Sequence, residues 1–160
     1  MSTLLNKLVF AALCAMLFFV IGCQVAPREE GRLRPDQETQ IYEAVNNASE
    51  RYNVPADFIH AIIHVESRHN PDAVGSGPLH NQGLMQLQPA LVRRYHISHP
   101  MNVSENVMGG TRWLSEILAL PQVHGDLHTA AAIYHGGHAY ETAAAQHYAD
   151  VVMSARARFN

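Results

Sequence analysis

Apolar residues recur at helical spacing through most of this chain, and no segment alternates with the period of two that marks a half-buried strand. From Pro35-Asp36 to about Tyr52, Ile41, Ala44, Val45 and Ala48 share one side, with Asp36 as a plausible N-cap. Asn53-Val54-Pro55 breaks that helix and starts a second, in which Ile59, Ile62 and Ile63 form an apolar arc opposite His60, His64 and Arg68. Asn70-Pro71 stops it. Residues 70 to 82 hold Gly75, Gly77, Pro78 and few apolar positions, so they read as a loop with room for a short hairpin at most. Gly83 to Tyr95 reads as helical after its first turn, broken near Pro89. Asn102 or Ser104 caps a helix to about Leu120 with a Val107, Thr111, Leu114, Leu118 stripe and Trp113 beside it. Asp126 caps a helix through Tyr134, and a Gly136-Gly137 turn leads to a last helix from about Tyr140 to Arg156. The predicted fold class is mainly α: one compact helical domain with little or no β-sheet.

One position breaks the pattern. At about 100° per residue, Glu66 falls inside the Ile59, Ile62, Ile63 arc. A carboxyl group there is desolvated, which disfavours its charged form and raises its pKa. Such a group holds a proton near neutral pH and can deliver it to a leaving group. The wheel alone equally allows a glutamate that ends the helix and bends out to water.

The N-terminal residues have a different character. Lys7 precedes an apolar run, Leu8 to Ile21, of the length of a signal-peptide core and shorter than a bilayer span. The run ends in Val20-Ile21-Gly22-Cys23, which resembles the bacterial lipobox; a single membrane-spanning anchor is the alternative. The expected organisation is a signal peptide at 1–22, a lipidated linker at 23–35 with the lipid on Cys23, and a catalytic domain at 36–160. Cys14 lies in the removed run, so no thiol is left for a disulfide or a thiolate metal site, and core packing alone holds the domain. The chain has a formal net charge of −3 and no basic stripe, which argues against nucleic acid as a main ligand.

Four segments, in order, resemble the soluble-type (SLT-domain) lytic murein transglycosylases, relatives of goose-type lysozyme. Ile62-Ile63-His64-Val65-Glu66-Ser67 with Asn70-Pro71-Asp72-Ala73-Val74 is similar to their catalytic-glutamate helix and following loop. Gly83-Leu84-Met85-Gln86-Leu87 with Pro89-Ala90 matches their Gly-Leu-Met-Gln segment. Glu105-Asn106-Val107, Gly109 or Gly110, and Trp113-Leu114 resemble a later helix. Gly125-Asp126-Leu127 and Ala131-Ala132-Ile133-Tyr134 resemble their Gly-Asp-Leu and Ala-Tyr-Asn stretch. The resemblance spans about residues 37 to 155 and implies a lysozyme-like fold. It departs from the family at His135, where Asn is usual, and at Gln82, where a small apolar residue is usual; the loop before Gly83 is also slightly longer.

The resemblance implies Glu66 as the catalytic acid, with Ser67, Met85, Gln86, Tyr134 and His135 contacting substrate. Met85 would touch the sugar by apolar contact and Gln86 by hydrogen bonds, and the Tyr134 hydroxyl would lie near the catalytic carboxyl. Ser67 has an alternative as a helix-end serine bonding backbone, and Trp113 reads as core before it reads as a sugar platform. The implied partners are peptidoglycan glycan strands and, through the lipid on Cys23, a membrane, with no nucleic acid and a monomeric chain. The implied location is the cell envelope, at the outer membrane of a Gram-negative host. No cofactor or metal is expected, although His60 with His64 and His124 with His128 have one-turn spacing that suits zinc. The eleven histidines swing the net charge positive below about pH 7, which either tunes adhesion to an anionic wall or reflects a surface bias.

Ordinary glycoside hydrolases use two carboxyl groups. Here Asp72 and Glu105 are the nearest seconds to Glu66; Asp72 fits a loop-shaping role and Glu105 a first-turn position where negative charge is favoured. Two other functions stay open: a hydrolytic muramidase, and a non-catalytic glycan-binding envelope lipoprotein.

Overall fold

The computed structural model describes residues 35–160, which belong to one compact unit. The expected signal peptide, the expected lipidation at Cys23 and most of the expected linker fall outside the described residues. Within them the helices are α1 (Pro35–Tyr52), α2 (Ala56–Ser67), α3 (Pro89–Arg94), α4 (Val103–Leu118), α5 (Leu127–Gly136) and α6 (Ala143–Arg156), with a 3₁₀ turn at Gly137–Ala139. No strand occurs among the described residues. The only ladder pairing there is two isolated antiparallel bridges, Val74 to Gln82 and Gln82 to Leu87. The mainly α expectation holds.

Helix α2 is the hub. Phe58 through Ile63 are all buried, so the helix is covered on every side, as expected for a helix that is apolar nearly all round. This corrects the wheel, which set His60 on a solvated face: His60 is 5% exposed. Its ring stacks on Phe159 near the C-terminus (centroids 5.3 Å apart) and lies 4.6 Å from Tyr42 of α1. Helix α2 packs against α1 and α6, and α6 packs against α5. Asp57 at the start of α2 pairs with Arg156 at the end of α6 at 2.5 Å, which ties those two helices together.

Several boundaries differ from expectation, each for a local reason. Asp36 lies inside the first turn of α1 rather than before it. Helix α2 ends before Asn70, because Arg68 (φ 53°) and His69 (φ 65°) are both left-handed and the Arg68 amide closes on the His64 carbonyl. Residues 83–88 are not helical. Gln82 and Leu87 exchange both backbone hydrogen bonds (3.1 and 2.9 Å), closing a tight loop that leaves only Pro89–Arg94 to form a helix, with Pro at its start. The last helix begins at Ala143, where Thr142 caps it. Asn102 and Asp126 cap α4 and α5 as expected, accepting from the Glu105 and Thr129 amides at 3.1 and 2.7 Å.

The loop at 82–88 is pinned from beneath by one residue. Asn106, fully buried on α4, accepts from the Met85 amide at 2.8 Å and donates to the carbonyls of Gln82 (2.8 Å) and Pro100 (2.6 Å). This approach requires Gly83: its φ is +74°, and a Cβ there would stand 2.3 Å from the Asn106 amide nitrogen. Gly110 likewise gives Met85 its seat, since a Cβ on Gly110 would meet the Met85 sulfur at 2.4 Å.

Candidate active site

At the end of α2 the apolar wrapping opens into a cleft of about 360 Å³. Glu66 lines it with Gln86 from the pinned loop, Trp113 from α4, and Tyr134 and His135 from α5. Glu66 is the only carboxylate among the described residues that line this cleft. Burial raises the Glu66 pKa to about 7, against a weaker opposing pull from one hydrogen bond. That bond comes from Tyr148 on α6, whose hydroxyl donates to Glu66 Oε1 at 2.6 Å. The carboxyl therefore exchanges a proton close to neutral pH, while one of its oxygens is held in place.

Tyr148 is the site residue that sequence reasoning missed. It lies on the buried face of α6 with Ala145, Ala149 and Val152. A tyrosine in a stripe of small apolar residues is a signal in itself, because a buried hydroxyl needs a partner. The partner lies 82 positions away, which no local pattern shows. The Tyr134 hydroxyl, expected near the carboxyl, instead donates to the Met85 carbonyl at 2.8 Å. Tyr134 still lines the cleft, and burial with the nearby Glu66 charge pushes its pKa well up.

The other expected contacts divide. Met85 is wholly buried, with its sulfur against Gly110, so it supports the cleft floor from below and does not face a ligand. Ser67 donates to the Ile63 carbonyl at 3.0 Å, the backbone role left open for a helix-end serine. Gln86 lines the cleft in a left-handed conformation (φ 47°), and its amide nitrogen donates to the carbonyls of Ala73 (3.1 Å) and Gly83 (2.9 Å). Its donors hold the loop together. Trp113 does both things considered for it, packing on the core and lining the cleft, with the Arg94 guanidinium 5.8 Å from its ring. His135 is exposed, lines the cleft, and stacks on the Tyr148 ring with centroids 4.5 Å apart and planes 13° apart.

Neither alternative carboxyl is part of this cleft. Glu105 accepts from the Ser98 and His99 amides at 2.9 and 2.8 Å and meets His99 Nδ1 at 3.0 Å, contacts that hold its pKa down. Asp72 is absent from the lining. Among the described residues, no group of three His, Cys, Asp or Glu side chains is placed to hold a metal ion. His128, of the second histidine pair, contacts Asp150 at 2.9 Å.

The site is thus one buried glutamate presented to an open cleft by a mainly helical domain, an arrangement that agrees with the lysozyme-like fold that the sequence motifs imply. The family model of the transglycosylase SLT domain matches residues 43–150, more than half the chain, and the chain belongs to that family. It is 33% identical over 99 residues to a transglycosylase of Enterobacteria phage PRD1, a match covering 61% of this chain and 35% of the phage protein. It also superposes on an inactive mutant of the lytic transglycosylase Slt from Pseudomonas aeruginosa with a TM-score of 0.62 and 19% identity. That match covers 73% of this chain and 23% of the other. The chain thus spans about a third or less of the length of these relatives.

Proposed function

We propose that the protein is a peptidoglycan lytic transglycosylase. The observation that carries this reading is a single cleft carboxyl, raised to a pKa of about 7, with no second carboxylate among the described lining residues. A substrate that carries its own nucleophile needs only one such group. In murein, protonated Glu66 gives its proton to the glycosidic oxygen as the bond from the anomeric carbon of N-acetylmuramic acid breaks, releasing the N-acetylglucosamine hydroxyl. The oxocarbenium-like centre is stabilised by the muramyl acetamido oxygen. Glu66, now a carboxylate, takes the proton of the muramyl 6-hydroxyl as that oxygen closes on the anomeric carbon. The product is a 1,6-anhydromuramyl end, Glu66 regains its proton, and no water is consumed.

The side chains around Glu66 support that cycle. Tyr148 donates to one oxygen and orients the carboxyl of Glu66, which lines the cleft. Trp113 offers an aromatic surface for a sugar, and Gln86 and His135 border the same space. Murein digested by the wild type should yield products one water lighter than those of a hydrolase, and Glu66→Gln should abolish clearing. Hydrolytic masses would convert the reading to a muramidase. Clearing that survives in Glu66→Gln would remove Glu66 as the acid, and a wild type that binds murein without clearing it would favour a glycan-binding role.

The address is proposed with the activity. Lipidation of Cys23 would anchor the domain in the envelope, at the outer membrane of a Gram-negative host, within reach of the wall. Incorporation of a labelled fatty acid, lost in Cys23→Ser, is the expected result. Unlabelled wild type released to the medium would count against it.

A further inference from the structure

We propose that His135 is a positioning residue whose imidazole clamps the Tyr148 ring and so holds the phenol hydroxyl on Glu66. This rests on the reading of Glu66 as the acid and base of the reaction, and deepens it. Tyr148 is buried, and the buried neighbours on its own helix, Ala145, Ala149 and Val152, offer no flat surface to a phenol ring. His135 supplies a flat surface at the right place: the planes are 13° apart and the centroids 4.5 Å apart, an offset stack that fixes the ring's tilt. The hydroxyl beyond that ring then sits 2.6 Å from Glu66 Oε1. His135, Tyr148 and Glu66 form a chain from the cleft edge to the reacting carboxyl, drawn from α5, α6 and α2. Asn, usual at this position in the family that the motifs resemble, has no ring with which to make such a stack.

The chain has a measurable consequence at Glu66. A hydrogen bond donated to a carboxylate favours the charged form. Loosening the clamp weakens that bond and lets burial raise the Glu66 pKa further. The other groups near Glu66 are Tyr134 from α5, whose hydroxyl is engaged by Met85, and neutral Gln86 from the pinned loop. Loss of any positive charge on His135 would move Glu66 in the same direction, so the ring and the charge must be separated by substitution. His135→Phe keeps the stack and discards the charge.

The test follows the Glu66 carboxyl by NMR titration in full-length protein with labelled glutamate, beside kcat and KM on murein. Tyr148→Phe should move the Glu66 midpoint upward, and His135→Ala should follow it by ~0.5 pH unit, the effect of weakening one hydrogen bond. His135→Phe should stay at the wild-type midpoint. His135→Ala should lower kcat about 5- to 10-fold with KM little changed, and His135→Phe should restore most of it. An unmoved midpoint in His135→Ala or in Tyr148→Phe overturns the clamp. So does a His135→Phe protein that matches His135→Ala, or a change confined to KM, which would mark His135 as a sugar contact only. A wild type without lytic activity that still shows the expected titrations removes the transglycosylase reading and leaves the clamp standing.

Discussion

Glu66 carries a stability cost that can be read separately from its chemistry. Its pKa rises from 4.5 to about 7 on folding, so the folded state holds the proton more tightly than the unfolded chain. A group raised in this way favours folding below its unfolded pKa, and that contribution is lost as pH climbs through about 7. The shift corresponds to roughly 3 kcal/mol, and to about 2 kcal/mol once the carboxyl's opening to the cleft is allowed for. Glu66→Gln should therefore raise Tm at pH 8 and change it little at pH 4.5, while abolishing clearing. Thermal unfolding at the two pH values checks this, and an equal change at both would mean that burial does not penalise the charge. Tyr148→Phe should keep the fold and lower kcat by about tenfold, with the alkaline limb of kcat moving upward as Glu66 loses its donor. The glutamate was legible from its place in an apolar arc. Tyr148 was not, because the pairing depends on two helices meeting.

At the scale of elements, α2 and the pinned loop at 82–88 respond to different disturbances. On the far side of α2, His60 and His69 lie under Tyr42 and Phe159, and burial pushes both pKa values down, His69 to about 4. Neighbouring histidine charge adds to the effect at His69, and Asp57 opposes it at His60. The unfolded chain then binds more protons than the folded one between about pH 6.5 and 4, so stability is present above that window and falls through it on acidification. Glu66 acts in the opposite sense over the same range, so the histidine contribution is read as a difference: the Tm of His69→Phe relative to wild type should rise as pH falls from 7 to 4.5. A difference that does not change with pH would place the acid sensitivity elsewhere. Asn106→Ala tests the loop: it leaves the Met85 amide and the Pro100 carbonyl without a partner and removes one of two donors from the Gln82 carbonyl, at a cost of about 3 kcal/mol. It should also weaken activity further than the lost stability explains, since Gln86 loses its footing. The histidine content acquires a local meaning here. Among the described residues, His69, His80, His96 and His124 are four of the seven non-glycine positions with positive φ, a conformation in which histidine is enriched.

For the molecule as a whole, the Asp57–Arg156 pair closes the frame that holds the site. It joins the start of α2 to the end of α6, the helices that bear Glu66 and Tyr148 at 2.6 Å. Both partners are mostly shielded from solvent (14% and 27% exposed), so removing one leaves the other poorly compensated. Arg156→Met should lower Tm and kcat together, and Asp57→Asn with Arg156→Met should recover part of the Tm. A double variant no better than the worse single one would show that the pair is not coupled. The amino-acid order by itself determined the helices, two of the three caps that end in Asn102, Asp126 and Thr142, the apolar seam of α2 and the oddity of Glu66, because each follows from spacing along one helix. It also carried the family motifs, including the Asn106 that anchors the loop. Only the tertiary structure decided that Met85 faces the core, that His60 is covered, that residues 83–88 form a closed loop, and that the phenol at Glu66 belongs to Tyr148. Those outcomes depend on which faces of distant helices meet, and a helical period describes each face without saying what will cover it.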